Sequence, residues 1–199
     1  MGVDYSGSPE VQPEQDRWRV RVCDADGAVL GAGILLGTRH VLTCAHVLRP
    51  DDPGSEDPPN SSVVIDFIGL PKVPSANARV TVDGWVPLDD SKGGDIALLE
   101  LEAPQSSGST TPLRRLPTTR HRAVFTCGFP RGLEDGMWVD ATLAGDCGPN
   151  RECVQMNATW AGRQVRAGFS GAPVFDDATR YVIGVVVGKY NDEEAGNSH

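Results

Sequence analysis

RWRVRVCDADGAVLGAGILLG, residues 17–37, settles what kind of fold this chain can have. Residues 17–24 alternate apolar and charged side chains, the period-two repeat of a half-buried strand. Ala25, Asp26 and Gly27 follow as a turn, and residues 28–37 answer as a second, more apolar strand. The stretch therefore reads as a β-hairpin. Working outward, HVLTCAHVL (40–48) continues as a strand running into a short helical turn, and a Pro/Asp-rich surface loop fills 50–62. Strands are expected at 63–70, 78–86 and 96–102, which completes six in the first half. Residues 103–121 have the composition of a linker. Beyond them strands are expected at 123–129, 137–145, 152–158, 164–168, 172–176 and 181–188, again six. Six strands, a linker and six more with regular turns predict an all-β fold of two six-stranded antiparallel barrels. The expected division is a flexible segment over 1–16, a barrel over 17–104, a linker over 105–122, a second barrel over 123–190 and a polar tail over 191–199.

Composition narrows the function classes. With 199 residues, 39% hydrophobic and 23% charged, the chain is ordinary globular material. It is long enough to bury roughly 70% of its unfolded surface without disulfide staples. There are 18 basic and 27 acidic residues for a net charge of −9, and lysine occurs only at 72, 92 and 189. No basic cluster suited to a phosphate backbone exists, which argues against nucleic acid as a partner. The acidic balance serves solubility. No run approaches the ~20 apolar residues of a membrane span, and the N-terminal stretch has no apolar h-region of a secretory signal. Gly2 and Ser6 fit a loose myristoylation pattern that arises often by chance. Five cysteines, at 23, 44, 127, 147 and 153, are an odd count that points to a reducing, cytoplasmic compartment. Cys147 and Cys153 are near enough in sequence to pair if the protein were exported. No CxxC occurs, and histidines 40, 46, 121 and 199 stand at no zinc-like spacing from the cysteines. Neither a metal nor a cofactor is expected.

Three polar residues stand in settings that make them costly. Ser170 lies in AGFSGAPVF (167–175), among glycines and alanines that would let another backbone approach. His46 lies in the apolar run LTCAHVL, where two ring nitrogens need partners away from bulk water. Asp95 follows two glycines at the mouth of an apolar strand, and a carboxylate there is costly unless paired. Singly, each has a plain structural reading: a turn serine, a satisfied core histidine, a strand-start cap. Together they offer a nucleophile, a base and an orienting acid, which is what a serine hydroxyl needs in order to attack.

The segments LTCAHV, GGDIALLEL and GFSGAPVF resemble the three signature stretches of chymotrypsin-like (trypsin-like) serine peptidases, in the same His, Asp, Ser order. The likeness spans about residues 17 to 189. TCGFPRG (126–132) and YVIGVVVG (181–188) look more like the compact bacterial, HtrA-like branch than the digestive enzymes. The resemblance implies a double β-barrel with its site in the cleft, His46 and Asp95 coming from the first barrel and Ser170 from the second. It implies an oxyanion hole built from the backbone N–H groups of Gly168 and Ser170. It also implies a protein or peptide substrate. Cytosolic bacterial relatives often serve as modules of larger signalling or defence proteins, so a regulatory partner or fused domain is expected as well.

The chain departs from the family pattern in ways that carry information. Phe169 stands where secreted relatives usually carry an aspartate that pairs with a freshly cut N-terminus, so activation by N-terminal cleavage is not expected. Phe169 is instead expected to plug the loop into apolar surroundings. Val47 stands where secreted relatives often have a bridging cysteine. Ala172 replaces a glycine and breaks the G-x-S-x-G elbow of α/β-hydrolases, whose histidine must also follow the serine. A subtilisin-like order would need Asp before His, together with βαβ units. By position, Gln164, Val165, Ala167, Val187 and Gly188 should line the pocket for the residue before the scissile bond, and no acid stands at its base. Two functions follow. The first is a serine endopeptidase working through an acyl-enzyme. The second is a peptidase-fold binding module that is inactive alone or waits for a partner.

Overall fold

Strand β1 (Arg19–Cys23) pairs antiparallel with β2 (Val29–Leu36), with Arg19 opposite Ile34 and Val22 opposite Gly31, so the hairpin that opened the sequence reading exists. Then come β3 (His40–Thr43), a single helical turn α1 (Ala45–Leu48), β4 (Val63–Phe67), β5 (Ala76–Leu88) and β6 (Gly94–Leu101). These strands close in the order β1-β2-β3-β6-β5-β4, with β4 pairing back onto β1. Closure removes every sheet edge from this half of the molecule. Alternation decides what faces inward. Val63, Ile65 and Phe67 of β4 are buried while Val64 and Asp66 between them are half-exposed. The interior is filled by Val20, Val22, Leu35, Val41, Ile65, Leu99 and Leu101, among others.

The second half forms one antiparallel sheet from β7 (Ala123–Gly128), β8 (Met137–Cys147), β9 (Cys153–Ala158), β10 (Pro173–Asp176) and β11 (Val182–Val185). Its order is β11-β10-β7-β8-β9. The expected all-β double-barrel architecture is present, but not as the two six-stranded barrels expected. Among the described residues the second unit is an open sheet of five strands, a half-barrel beside the closed one. The difference lies at 164–168. Gln-Val-Arg-Ala-Gly alternates like a strand, but here 164–166 pair with no strand and the chain turns at Ala167 and Gly168, where Gly168 adopts φ +97°. Cys147 and Cys153 stand directly opposite each other across the β8–β9 ladder.

The two sheets meet over a third apolar cluster, in which Ile34 of β2 packs with Trp18, Phe125, Phe175 and Val182. Phe125 and Phe175 stack with ring centroids 5.0 Å apart. Arg19 of β1, 5% exposed, places its guanidinium 4.7 Å from the Trp138 ring centroid and donates to Cys127 Sγ at 2.9 Å. A buried guanidinium held by an aromatic face and a soft acceptor ties first barrel to second sheet.

This computed structural model describes residues 17–70, 72–89, 93–105, 113–116, 120–148, 151, 153–160 and 162–188. The expected N-terminal segment 1–16, most of the expected linker and the expected tail 191–199 lie outside the described residues. Among those described, no helix is long and apolar enough to cross a membrane.

Candidate active site

Each of the three polar side chains is delivered by a different device. His46 sits in the one-turn helix α1, launched straight off β3 with Cys44 at its N-cap. Neighbouring Ala45 and Val47 are buried and anchor the turn, which leaves the imidazole 29% exposed. Asp95 comes from the start of β6. On that strand Asp95, Ala97, Leu99 and Leu101 share the buried phase, so the period-two register carries a carboxylate into the interior. Asp95 adopts φ +61°, and Gly94 before it adopts φ +74°. A left-handed aspartate is a strained conformer that the surrounding contacts must hold. Ser170 follows Phe169, which is fully buried in the second sheet's core.

These devices converge. Asp95 Oδ2 lies 2.7 Å from His46 Nδ1, and Asp95 Oδ1 accepts the backbone N–H of His46 at 2.9 Å. His46 Nε2 lies 2.7 Å from Ser170 Oγ. With the carboxylate accepting the Nδ1 proton, Nε2 is the acceptor for the serine hydroxyl. The arrangement can move a proton off Ser170 and return it, with the charge on the ring balanced by Asp95.

The loop carrying Ser170 is pinned to both sheets. The Ser170 carbonyl accepts the N–H of Ala32 on β2 at 2.8 Å, and the Gly171 N–H donates to Val186 O at 2.8 Å. Gly171 leaves no room for a side chain, since a Cβ there would stand 2.1 Å from Ala32 O. A turn over 166–169, closed by Phe169 N–H to Arg166 O at 3.1 Å, carries Gly168 at its third position. Positive φ at that position, with none at Ala167, is the type II form. The Gly168 carbonyl accepts from Phe129 N–H at 2.8 Å. Among the described residues, the N–H groups of Gly168 and Ser170 donate to no backbone carbonyl.

The residues expected to line a specificity pocket are more dispersed. Val165 packs against the second sheet's core and Val187 against the first barrel's. Gln164, Ala167 and Gly188 are exposed. Clefts of about 330 and 300 Å³ lie elsewhere, one lined by Arg120, Arg122 and Asp176 and one by Leu42, Arg114 and Val182, and neither includes the triad. Among the described residues, Cys44, His46 and Asp95 are the one group offering three metal-ligating atoms within 4.8 Å of one another. Two of those groups already share a proton at 2.7 Å, and burial, reinforced by the Asp95 charge, pushes the Cys44 thiol far above its ordinary range. That donor set suits proton sharing better than a cation. Sequence reasoning singled out neither Cys44 nor Ala32. Gly31 and Gly33 flanking Ala32 were the available signal, because a Cβ at 31 would lie 3.0 Å from Ser170 O.

A family model described as a trypsin-like peptidase domain matches residues 31–185. Among solved structures, the chain is similar to a serine-to-alanine mutant of Rv3671c from M. tuberculosis H37Rv in its inactive form. The TM-score is 0.62 at 20% identity, over 90% of this chain and 78% of that one. A serine endoprotease from Yersinia pestis gives a TM-score of 0.62 at 14% identity, over 89% of this chain and 58% of that one. The scabies mite inactivated protease paralogue S-I1 gives 0.61 at 18% identity, over 89% and 85%. At these identities the structural likeness speaks for the fold. No curated protein is similar enough in sequence to match.

Proposed function

The chain belongs to the trypsin-like peptidase domain family, and from that premise we propose that it is a serine endopeptidase that cleaves peptide bonds through an acyl-enzyme. The observation that carries this reading is the pair of 2.7 Å contacts on opposite nitrogens of one imidazole, Asp95 on Nδ1 and Ser170 on Nε2. Ser170 Oγ attacks the scissile carbonyl while His46 Nε2 takes its proton. Asp95 fixes the ring and balances the imidazolium. The carbonyl oxygen, now carrying the negative charge, is received by the N–H groups of Gly168 and Ser170. As the tetrahedral adduct collapses, the His46 proton passes to the leaving amine and the acyl group stays on Ser170. Water, deprotonated by the same nitrogen, then releases the acid and restores the hydroxyl.

The substrate in this reading is a protein or peptide in extended form. With no acid among Gln164, Val165, Ala167, Val187 and Gly188, the residue before the cleaved bond is small or apolar rather than basic. The odd cysteine count supports action in a reducing compartment, and a fused domain or protein partner fits a module of this size. A fluorophosphonate probe tests the central claim. It should label the wild type covalently and fail on Ser170→Ala, and folded wild-type protein that resists the probe would defeat the reading.

A second reading, a peptidase-fold binding module silent until a partner engages it, draws on a neighbour of similar TM-score described as an inactivated protease paralogue. Peptide hydrolysis that appears only with a partner present would select it.

A further inference from the structure

Cys147 and Cys153 take no part in the chemistry above, and they stand directly opposite each other where the β8–β9 ladder ends. Directly opposed residues of an antiparallel pair have Cα atoms about 4.5 or about 5.5 Å apart, according to whether they exchange hydrogen bonds. Both values fall within the roughly 4.4–6.8 Å that a disulfide spans, so closing a bond here needs no shift of the backbone. The turn that joins the strands is itself closed. The Gly148 carbonyl accepts the Arg151 N–H at 3.2 Å, and the Arg151 guanidinium lies 3.6 Å from Asp146 Oδ2.

Accessibility separates this pair from the other cysteines. Cys23, Cys44 and Cys127 are buried, whereas Cys147 and Cys153 are half-buried. Burial, helped by the Asp66 charge, pushes the Cys23 thiol up to about 11, and burial raises Cys44 as well, so neither offers a thiolate for exchange. The position of the pair also has a mechanical use. Strand β9 is the last of its sheet and, among the described residues, pairs only with β8. A bulge between Leu143 and Gly145 separates the tip of the hairpin from its base. The base packs Leu143 and Met156 into the apolar cluster around Phe169, so the tip is the part that gains from a covalent link.

We propose that Cys147 and Cys153 are a reversible dithiol–disulfide site, oxidised by small-molecule disulfides, that staples edge strand β9 to β8. The exchange balances in two steps. One thiolate of the pair attacks a sulfur of the oxidant, breaking its S–S bond and releasing a first small thiol. The second thiolate attacks the mixed disulfide, forming the Cys147–Cys153 bond and releasing a second small thiol. Two protein thiols are oxidised, one oxidant disulfide is reduced, and the two protons pass to the released thiolates. A half-exposed bond stays open to attack by thiols, so the same steps in reverse restore the dithiol. The hairpin gains stability when oxidised disulfide accumulates and gives it up when thiols prevail. The inference rests on the register of two strands and needs no peptidase activity.

The test incubates the folded full chain with oxidised glutathione and maps its cysteines by alkylation and mass spectrometry. The expected product is a single internal Cys147–Cys153 disulfide that dithiothreitol reverses, with Cys23, Cys44 and Cys127 still open to alkylation once the chain is unfolded. Cys147→Ala and Cys153→Ala should each stall as a mixed disulfide between the remaining cysteine and glutathione. Oxidised wild type should unfold at a higher denaturant concentration than the reduced protein, and the oxidant should give neither variant that gain. Wild type that stays reduced, or that collects glutathione on both cysteines without joining them, would overturn the proposal. So would a bridge that maps to another pair or to a second chain. An internal bond that leaves the unfolding midpoint unmoved would overturn the staple.

Discussion

His46 and Asp95 are joined twice, the backbone N–H of His46 to Oδ1 at 2.9 Å and the ring Nδ1 to Oδ2 at 2.7 Å. One carboxylate therefore fixes both where the helical turn sits and which ring nitrogen carries the proton. Asp95→Asn separates those two jobs. The amide oxygen can keep the backbone contact, but its NH₂ then faces Nδ1 and donates where the carboxylate accepted. The ring proton is driven to Nε2, which can no longer take the Ser170 proton. The expected result is a loss of about 10⁴ in turnover or probe labelling with little change in thermal unfolding. Equal losses of labelling and stability would instead make Asp95 a structural anchor.

Gly168→Ala should uncouple charge stabilisation from the triad. A Cβ at 168 would stand 2.3 Å from the Phe129 carbonyl oxygen and 2.9 Å from Pro130 Cα, on backbone at φ +97°. Those neighbours are main chain and cannot swing aside, so the turn must relax and the 167–168 peptide must rotate. The His46–Ser170 contact lies outside that peptide. Labelling should fall by about 10²–10³, the usual cost of one lost donor to an oxyanion. The His46 titration by NMR should stay where it was, and a shifted titration would show that the two parts are not separable.

How far the sequence disclosed all this depends on whether a residue's role is local. His46, Asp95 and Ser170 could be read because each is a polar group in a costly apolar or glycine-rich setting, and that cost is visible in the neighbouring letters. The first barrel could be read because β4 and β6 alternate cleanly. Residues 164–168 misled because their alternation is genuine, while the backbone of Gly168 is dictated by Phe129 and Pro130 from a distant loop. Cys44 looked like one more apolar position, since its acceptor is the carbonyl of Val186, which folding brings to it from the far end of the chain.

Phe169 carries a prediction about activation. Its ring is fully buried and lies over Gly128, where a Cβ would stand only 2.4 Å from the Phe169 Cγ. The residue before the nucleophile is thus held by apolar packing with no ion pair required. Removing residues 1–16 should leave the labelling rate of Ser170 unchanged. Phe169→Ala should cost about 3–5 kcal/mol in unfolding free energy and slow labelling as the loop loosens. A trimmed protein that labels much faster than the full chain would contradict this account.

Acid should unfold the protein through a site far from the triad. Asp176 is fully buried, and burial alone would raise its carboxyl. Hydrogen bonds from Thr179 and Arg122, with the Arg122 charge, outweigh that and hold it below the ordinary value of 3.8. Asp66, bonded by Ser75 and Arg21, is likewise held down against its burial. A carboxylate lowered in the folded state adds stability that is whole above the unfolded value and is lost as pH falls through the folded one. Stability should therefore hold through neutral pH and drop below about pH 4. Asp176→Asn leaves the Arg122 guanidinium, itself three-quarters buried, without its carboxylate and should cost about 2–3 kcal/mol at neutral pH. Its unfolding free energy should then decline less steeply with acid than that of the wild type. Parallel acid profiles in denaturant titrations would show that Asp176 is not one of the groups whose protonation drives unfolding.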